Sequence, residues 1–269
     1  MKKLFLLCII SISNIGIFAQ NLYETDKKDL QFESNGFQLS GVLVTPKTDK
    51  KAPLIIIVPN SWSPRFGSIA EYFATNGIAC FTYDSRDVGK SMGFDCFKDS
   101  IVDIYSQDLQ VIIKTLSSQQ NFSKVGVLGM SMGGWIIERA IVKENVDFYV
   151  MLSTQTVSFK DSYKWMVESF TKNKVDSTQQ SYLNSLSESV LESEDYEFIP
   201  YDYVKRISAN SFWIFGQNDI NIAVDQSIAD LEAIKKTNNI TIKKYEGLDH
   251  NGVSESEMVI NEIVQWIIK

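Results

Sequence analysis

The chain has 269 residues, 44% of them hydrophobic and 22% charged, ordinary proportions for a folded globular protein that exclude a disordered chain, a collagen-like repeat and a coiled coil. At this length one large domain, plain or carrying an insertion, is expected rather than two equal ones. Lys and Arg number 26 against 33 Asp and Glu, a net charge of -7, so a nucleic-acid partner, which needs clustered cations, is not expected; one histidine and three cysteines leave too few ligands for a zinc site.

The first segment stands apart from the rest. Lys2 and Lys3 precede an apolar run from Leu4 that closes on Phe18, Ala19 and Gln20. A charged start, an apolar stretch and a small residue before a cut predict a signal peptide over residues 1–19. The protein is then exported, periplasmic or extracellular, with no stable membrane association after cleavage. The competing reading is an N-terminal anchor, but the run is short and is broken by Ser11, Ser13, Asn14 and Gly16. Cys8 lies too early in it for a lipidated cysteine. Cys80 and Cys96 remain beyond the cut. Export permits a disulfide between them, whereas the alternative is a buried Cys80 in a strand and a loop thiol at Cys96.

Residues 30–45 read as a β-hairpin, with Asn35-Gly36 as the turn between two alternating runs. Residues 54–58 are continuously apolar up to Pro59, as in a strand buried on both faces. A short helix over 66–76 stops at Gly77, and 78–83 is the next buried strand. Residues 99–119 predict a long amphipathic helix whose apolar face carries Ile101, Ile104, Tyr105, Leu109, Ile112 and Leu116. Ser100 and Asp103 supply its capping signal. A strand at 125–128, a helix at 132–143 and a strand at 148–152 follow. After an interruption come a strand at 211–215, a helix at 222–236, a strand at 240–245 and a helix at 255–268. Alternating strands and helices predict an α/β fold: a mostly parallel sheet with helices on both faces. The interruption, 155–206, is polar and aromatic and too long for a structureless loop. We read it as a helical cap over the C-terminal edge of the sheet, the alternative being longer scaffold helices. Trp165 and Phe170 on it are candidate substrate-binding residues.

The sharpest chemical signal is Gly129-Met130-Ser131-Met132-Gly133-Gly134, of the form G-x-S-x-G, placed directly between a strand and a helix. Such a tight turn lifts the Ser131 hydroxyl out of the sheet edge and aims the Met132 amide at a developing oxyanion. A serine needs a base, and the one histidine, His250, lies in the loop after the last strand. A base needs an acid to fix its tautomer. Asp219 follows the strand at 211–215 and is the candidate; Asp225 sits inside the next helix, and Asp249 is a chain neighbour of His250, and adjacent side chains seldom face each other. The alternative role of Asp219 is helix capping.

The order Ser131, Asp219, His250, each after a strand, resembles the α/β-hydrolase superfamily over about residues 37–269. The segment Asp84-Ser85-Arg86-Asp87-Val88-Gly89-Lys90-Ser91 is similar to the D-x-R-G-x-G-x-S loop of dienelactone-hydrolase-like and serine-aminopeptidase-like esterases. Asp87 stands where that pattern has glycine, and we read Asp84 and Arg86 as structural. The resemblance implies an oxyanion loop at Pro59-Asn60-Ser61-Trp62, although the family's His-Gly is missing there. By position Trp62 supplies the second oxyanion amide, with Ser61 as the fallback. Trp62 is also a candidate wall of the acyl pocket, or else a packed core aromatic.

The expected activity is that of a serine hydrolase that cleaves a carboxylic ester or thioester in a small-molecule acyl substrate through an acyl-enzyme, with no cofactor and no metal. A peptidase of the same fold would want an acid for an α-amine, with Glu188, Glu192, Glu194 and Asp195 as candidates, although such a run is usually a solvated face. A non-catalytic binding protein on the same scaffold has no need of Ser131, Asp219 and His250 together.

Overall fold

A computed structural model describes residues 22–59, 67–86, 88, 100–119, 121–190, 194–235 and 239–269 of the protein. In chain order the elements are β1 (Thr25–Ser34), β2 (Phe37–Pro46), β3 (Leu54–Val58), α1 (Gly67–Thr75), β4 (Ala79–Tyr83), α2 (Ile101–Ser118), β5 (Val125–Met130), α3 (Met132–Ile141) and β6 (Phe148–Leu152). There follow α4 (Phe159–Asn173), α5 (Ser177–Val190), a 3-10 turn (Glu194–Glu197), α6 (Pro200–Val204), β7 (Asn210–Gly216), α7 (Val224–Ile234), β8 (Ile240–Tyr245), α8 (Gly252–Glu255) and α9 (Glu257–Ile268).

The strands form one sheet in the order β1-β2-β4-β3-β5-β6-β7-β8. From β4 to β8 all neighbours are parallel, while β1 and β2 form an antiparallel hairpin added to β4. Asn35 at φ 49° and Gly36 at φ 81° make its two-residue turn, whose twist matches that of the flanking strands. The apolar runs are buried on both faces. Leu54, Ile56 and Val58 of β3 join α2, α3 and α7 in one core, and Ile55 and Ile57 join α1 and α9 in the other. Alternate side chains of a strand point to opposite faces, so a single five-residue run serves two hydrophobic layers.

Local signals fix the helix ends. Ser100 caps α2 by accepting from the Asp103 amide at 3.1 Å, as predicted. The single helix predicted over 255–268 is two. Ser256 takes an extended backbone (ψ 116°), ends α8 and caps α9 through the Val259 amide. A serine competes with helix continuation in this way because its hydroxyl satisfies an amide that the new helix leaves without an intrahelical acceptor.

Arg86 is buried between elements. Its Nε and Nη2 donate to the two oxygens of Asp108 on α2 at 2.7 and 2.6 Å, and Nη2 also donates to the Ser34 carbonyl at 3.1 Å. The guanidinium lies 4.2 Å from the ring centre of Phe37. This bidentate, stacked arrangement ties the hairpin turn to α2. Cys80 is fully buried in β4, and burial pushes its thiol pKa up. Cys96 lies outside the described residues, as do residues 1–19, predicted as a signal peptide, and Asp87, Gly89, Lys90 and Ser91. No described helix is long and apolar enough to cross a membrane.

Candidate active site

Parallel strands deliver their C-terminal ends to one edge of the sheet, and the predicted triad residues sit there. Ser131 follows β5, Asp219 follows β7 and His250 follows β8. Ser131 has φ 53° and ψ -121°, a region costly for a residue with a Cβ. It occupies the N-cap position of α3, yet its side chain makes no capping hydrogen bond, in contrast to the usual use of a serine there. The glycines explain the turn. A Cβ on Gly129 would lie 2.6 Å from the Gly133 backbone, and one on Gly134 would lie 2.3 Å from the Thr154 side chain. The first turn of α3 therefore packs directly on β5 and on the end of β6. Met132 opens α3, so its amide is among those without an intrahelical partner.

The acid and base meet. His250 Nδ1 lies 2.8 Å from Asp219 Oδ2. The other oxygen, Oδ1, accepts from the Asn221 amide at 2.9 Å, so both lone-pair faces of a fully buried carboxylate are engaged. When Nδ1–H donates to Oδ2, the Nε2 atom of the imidazole is left as the acceptor, the tautomer a general base needs. The runners-up lie elsewhere. Asp225 is exposed and pairs with Lys244 at 3.2 Å. Asp249 Oδ1 accepts from the Gly252 amide at 2.8 Å, at the start of α8.

The segment 155–206 holds α4, α5, the 3-10 turn and α6, placed between β6 and β7. Here one of the two aromatic candidates has a packing role. Phe170 is 2% exposed and packs with Met166 and Leu183 in a small core of this segment, along with Ile220 from the loop after Asp219. Met166 and Phe170 are one helical turn apart and share the inward face. Trp165 lies on another face of α4. It is half-buried and lines a cleft of about 400 Å³ with Gln217, Asp219, Ala223 and Lys244.

One of the acids offered for an α-amine is engaged elsewhere. Asp195 is buried, and its carboxylate accepts from Ser100 Oγ at 2.6 Å and from the Val102 amide at 3.0 Å. It is spent on the N-terminus of α2, and burial raises its pKa. The side chains of Glu188 and Glu194, and Glu192 altogether, lie outside the described residues, as do Ser61 and Trp62.

Sequence reasoning missed Ser153, Thr154, Gln155 and Thr156, all buried. Thr154 Oγ1 is shared between the Leu152 carbonyl at 3.2 Å and the Ser131 carbonyl at 3.3 Å, and Ser153 Oγ donates toward the His250 carbonyl at 3.1 Å. The visible signal was a run of four polar residues directly after an apolar strand at the edge that carries the triad. Among the described residues no cluster of three His, Cys, Asp or Glu could hold a metal.

The sequence profile of serine aminopeptidase, S33, matches residues 55–199, more than half of the chain and a stretch that includes the Ser131 turn. The chain belongs to this family of α/β hydrolases. Two solved structures share the fold of this family member. An esterase from Pyrococcus furiosus superposes with a TM-score of 0.71 at 19% identity, covering 90% of each chain. An acylaminoacyl peptidase from Pyrococcus horikoshii gives 0.68 at 16% identity, covering 92% of this chain and 41% of that one. Among curated proteins, the quorum-quenching protein AidA of Acinetobacter baumannii is 29% identical over 124 residues, 44% of this chain. That match spans 40% of the relative's length.

Proposed function

We propose that the protein is an exported serine hydrolase that cleaves a carboxylic ester or thioester. Ser131 attacks the carbonyl, and His250 takes its proton and later returns one to the leaving group. Asp219 holds the imidazole in the required tautomer and stabilises its charged form. The Met132 amide, with one from Trp62 or Ser61, receives the oxyanion. Water then releases the acyl group. The observation that carries this reading is the 2.8 Å contact of His250 Nδ1 with a fully buried Asp219, on the sheet edge where Ser131 sits in a strained turn. A scaffold protein gains nothing from that combination.

The test is labelling by a fluorophosphonate together with hydrolysis of p-nitrophenyl esters. Ser131→Ala should abolish both while the thermal unfolding midpoint stays near that of the parent. Near-native turnover in that variant would remove the serine from the mechanism.

A peptidase is the second reading, favoured by the name of the family. It has lost one support, because the Asp195 carboxylate is engaged by Ser100 and Val102 and is not free to hold an α-amine. Comparing p-nitrophenyl esters with aminoacyl p-nitroanilides separates the two. Export rests on Lys2, Lys3 and the apolar run to Ala19. N-terminal sequencing of the protein from its native host should find Gln20 first; a mature chain starting at Met1 speaks against this route.

A further inference from the structure

Three features outside the triad offer an inference. A groove lined by Lys124, Lys235 and Lys269 beside Trp266 has the charge to take an anion, but no buried donor fixes one there. The Asp195 contact with α2 holds the cap segment without reaching the site. The polar run after β6 reaches the site from several directions at once.

Leu152 ends β6, and its carbonyl accepts from the Ser131 amide at 2.9 Å. The Ser153 amide donates to the Ile214 carbonyl at 2.9 Å, joining the run to β7, the strand that leads to Asp219. Ser153 itself has φ 44° and is fully buried. Glycine would take this left-handed backbone without strain; serine adds a hydroxyl, and that hydroxyl donates to the His250 carbonyl at 3.1 Å. Next in line, Thr154 Oγ1 lies 3.3 Å from the Ser131 carbonyl. Gln155 Oε1 accepts from the Ala223 amide at 3.3 Å, at the far end of the loop that starts at Asp219. Three consecutive side chains therefore each touch a loop that carries one triad residue.

We infer that Ser153 is a positioning residue for His250, an inference that rests on the triad reading above. The imidazole is held at two points, its Nδ1 by Asp219 and its own main chain by Ser153. Two fixed points determine where Nε2 is aimed. One of them alone leaves the ring free to pivot about the Asp219 contact. Displacements of about 1 Å at a reacting group can cost on the order of 100-fold in rate. The loop has other anchors, since the Gln217 amide donates to the Tyr245 carbonyl and the Asn218 amide to the Leu248 carbonyl, each at 2.9 Å. Loss of the hydroxyl should thus shift His250 and leave the loop attached.

The test uses the full chain with Ser153→Ala and Ser153→Gly, and with Ser131→Ala as reference. Initial rates on a p-nitrophenyl ester and the rate constant of fluorophosphonate labelling are measured, with unfolding midpoints alongside. The expectation is a fall in kcat of about 10- to 100-fold in both Ser153 variants with KM within about twofold, the pattern of an interaction realised in the transition state. Labelling slows in parallel. The midpoints should differ, with glycine above alanine, because glycine relieves the strained φ. Equal kcat losses at unequal stabilities assign the effect to the hydroxyl. Parent-like kcat in both variants overturns the inference. So does recovery in Ser153→Gly alone, which would assign Ser153 to backbone shape, and so does failure of both to fold. If instead Ser131→Ala keeps turnover and labelling, the triad reading fails, and that result is distinct from any of these.

Discussion

At the scale of single residues, the assignment of the acid turns on what each carboxylate touches. Asp219 and Asp225 lie six positions apart in one short stretch, and both could be drawn beside a histidine from sequence alone. The first is fully buried on His250 Nδ1, and the second is 90% exposed on Lys244. Asp219→Asn should therefore lower kcat by about 10⁴-fold, since an amide favours the wrong imidazole tautomer. Asp225→Asn should change kcat less than about twofold, because exposed ion pairs contribute little. Steady-state kinetics on both variants check this, and the reverse ranking would reassign the acid. The strained Ser131 was legible in the G-x-S-x-G pattern because the glycines report the close approach of α3. Ser153 was not legible, because a serine after a strand carries no mark of which carbonyl it will meet.

At the scale of elements, the segment 155–206 separates two aromatic residues that the sequence treated alike. Phe170 fills the small core of Met166 and Leu183, and Trp165 lines the cleft beside Asp219. Phe170→Ala should cost about 3 kcal/mol or more in stability, the range of large-to-small changes in a core, with relative rates across acyl esters unchanged in what remains folded. Trp165→Ala should do the opposite. It should shift the chain-length preference among p-nitrophenyl esters and move the unfolding midpoint by only a few degrees. Thermal scans and a substrate series measure both, and an unchanged preference in Trp165→Ala would remove it from the pocket. The same segment reaches back through Asp195 to the start of α2, so one of the four acids offered for a peptidase fastens one element to another.

At the scale of the whole molecule, the buried carboxyl of Glu138 gives global stability a pH dependence. It lies on α3, fully buried, and neither oxygen has a hydrogen-bond partner among the described residues. Burial raises its pKa well above the ordinary 4.5, since desolvation disfavours the charged form. The folded chain therefore holds this proton over a pH range where the unfolded chain has released it. By linkage, that contribution to stability is complete below the unfolded value and is lost as pH rises toward the folded one. Denaturant midpoints measured from pH 4.5 upward should fall with pH more steeply in the parent than in Glu138→Gln, which carries no such proton. Equal slopes would mean that Glu138 is charged in the folded state.

Strands β3 to β7, the hairpin turn at Asn35-Gly36 and the chain order of Ser131, Asp219 and His250 were determined by the sequence alone. Each depends on contacts within a few residues or on a run of apolar side chains that can only be buried. The parallel arrangement followed from the alternation of strands and helices, and with it the shared edge for all three residues. Tertiary structure alone decided that Phe170 turns inward while Trp165 faces a cleft, that Asp195 caps α2, and that Ser153 reaches His250. Helical period states which residues share a face but not what that face meets. A polar side chain likewise becomes a cap, a tether or a site according to which distant carbonyl or amide the fold brings to it, and no local pattern encodes that meeting.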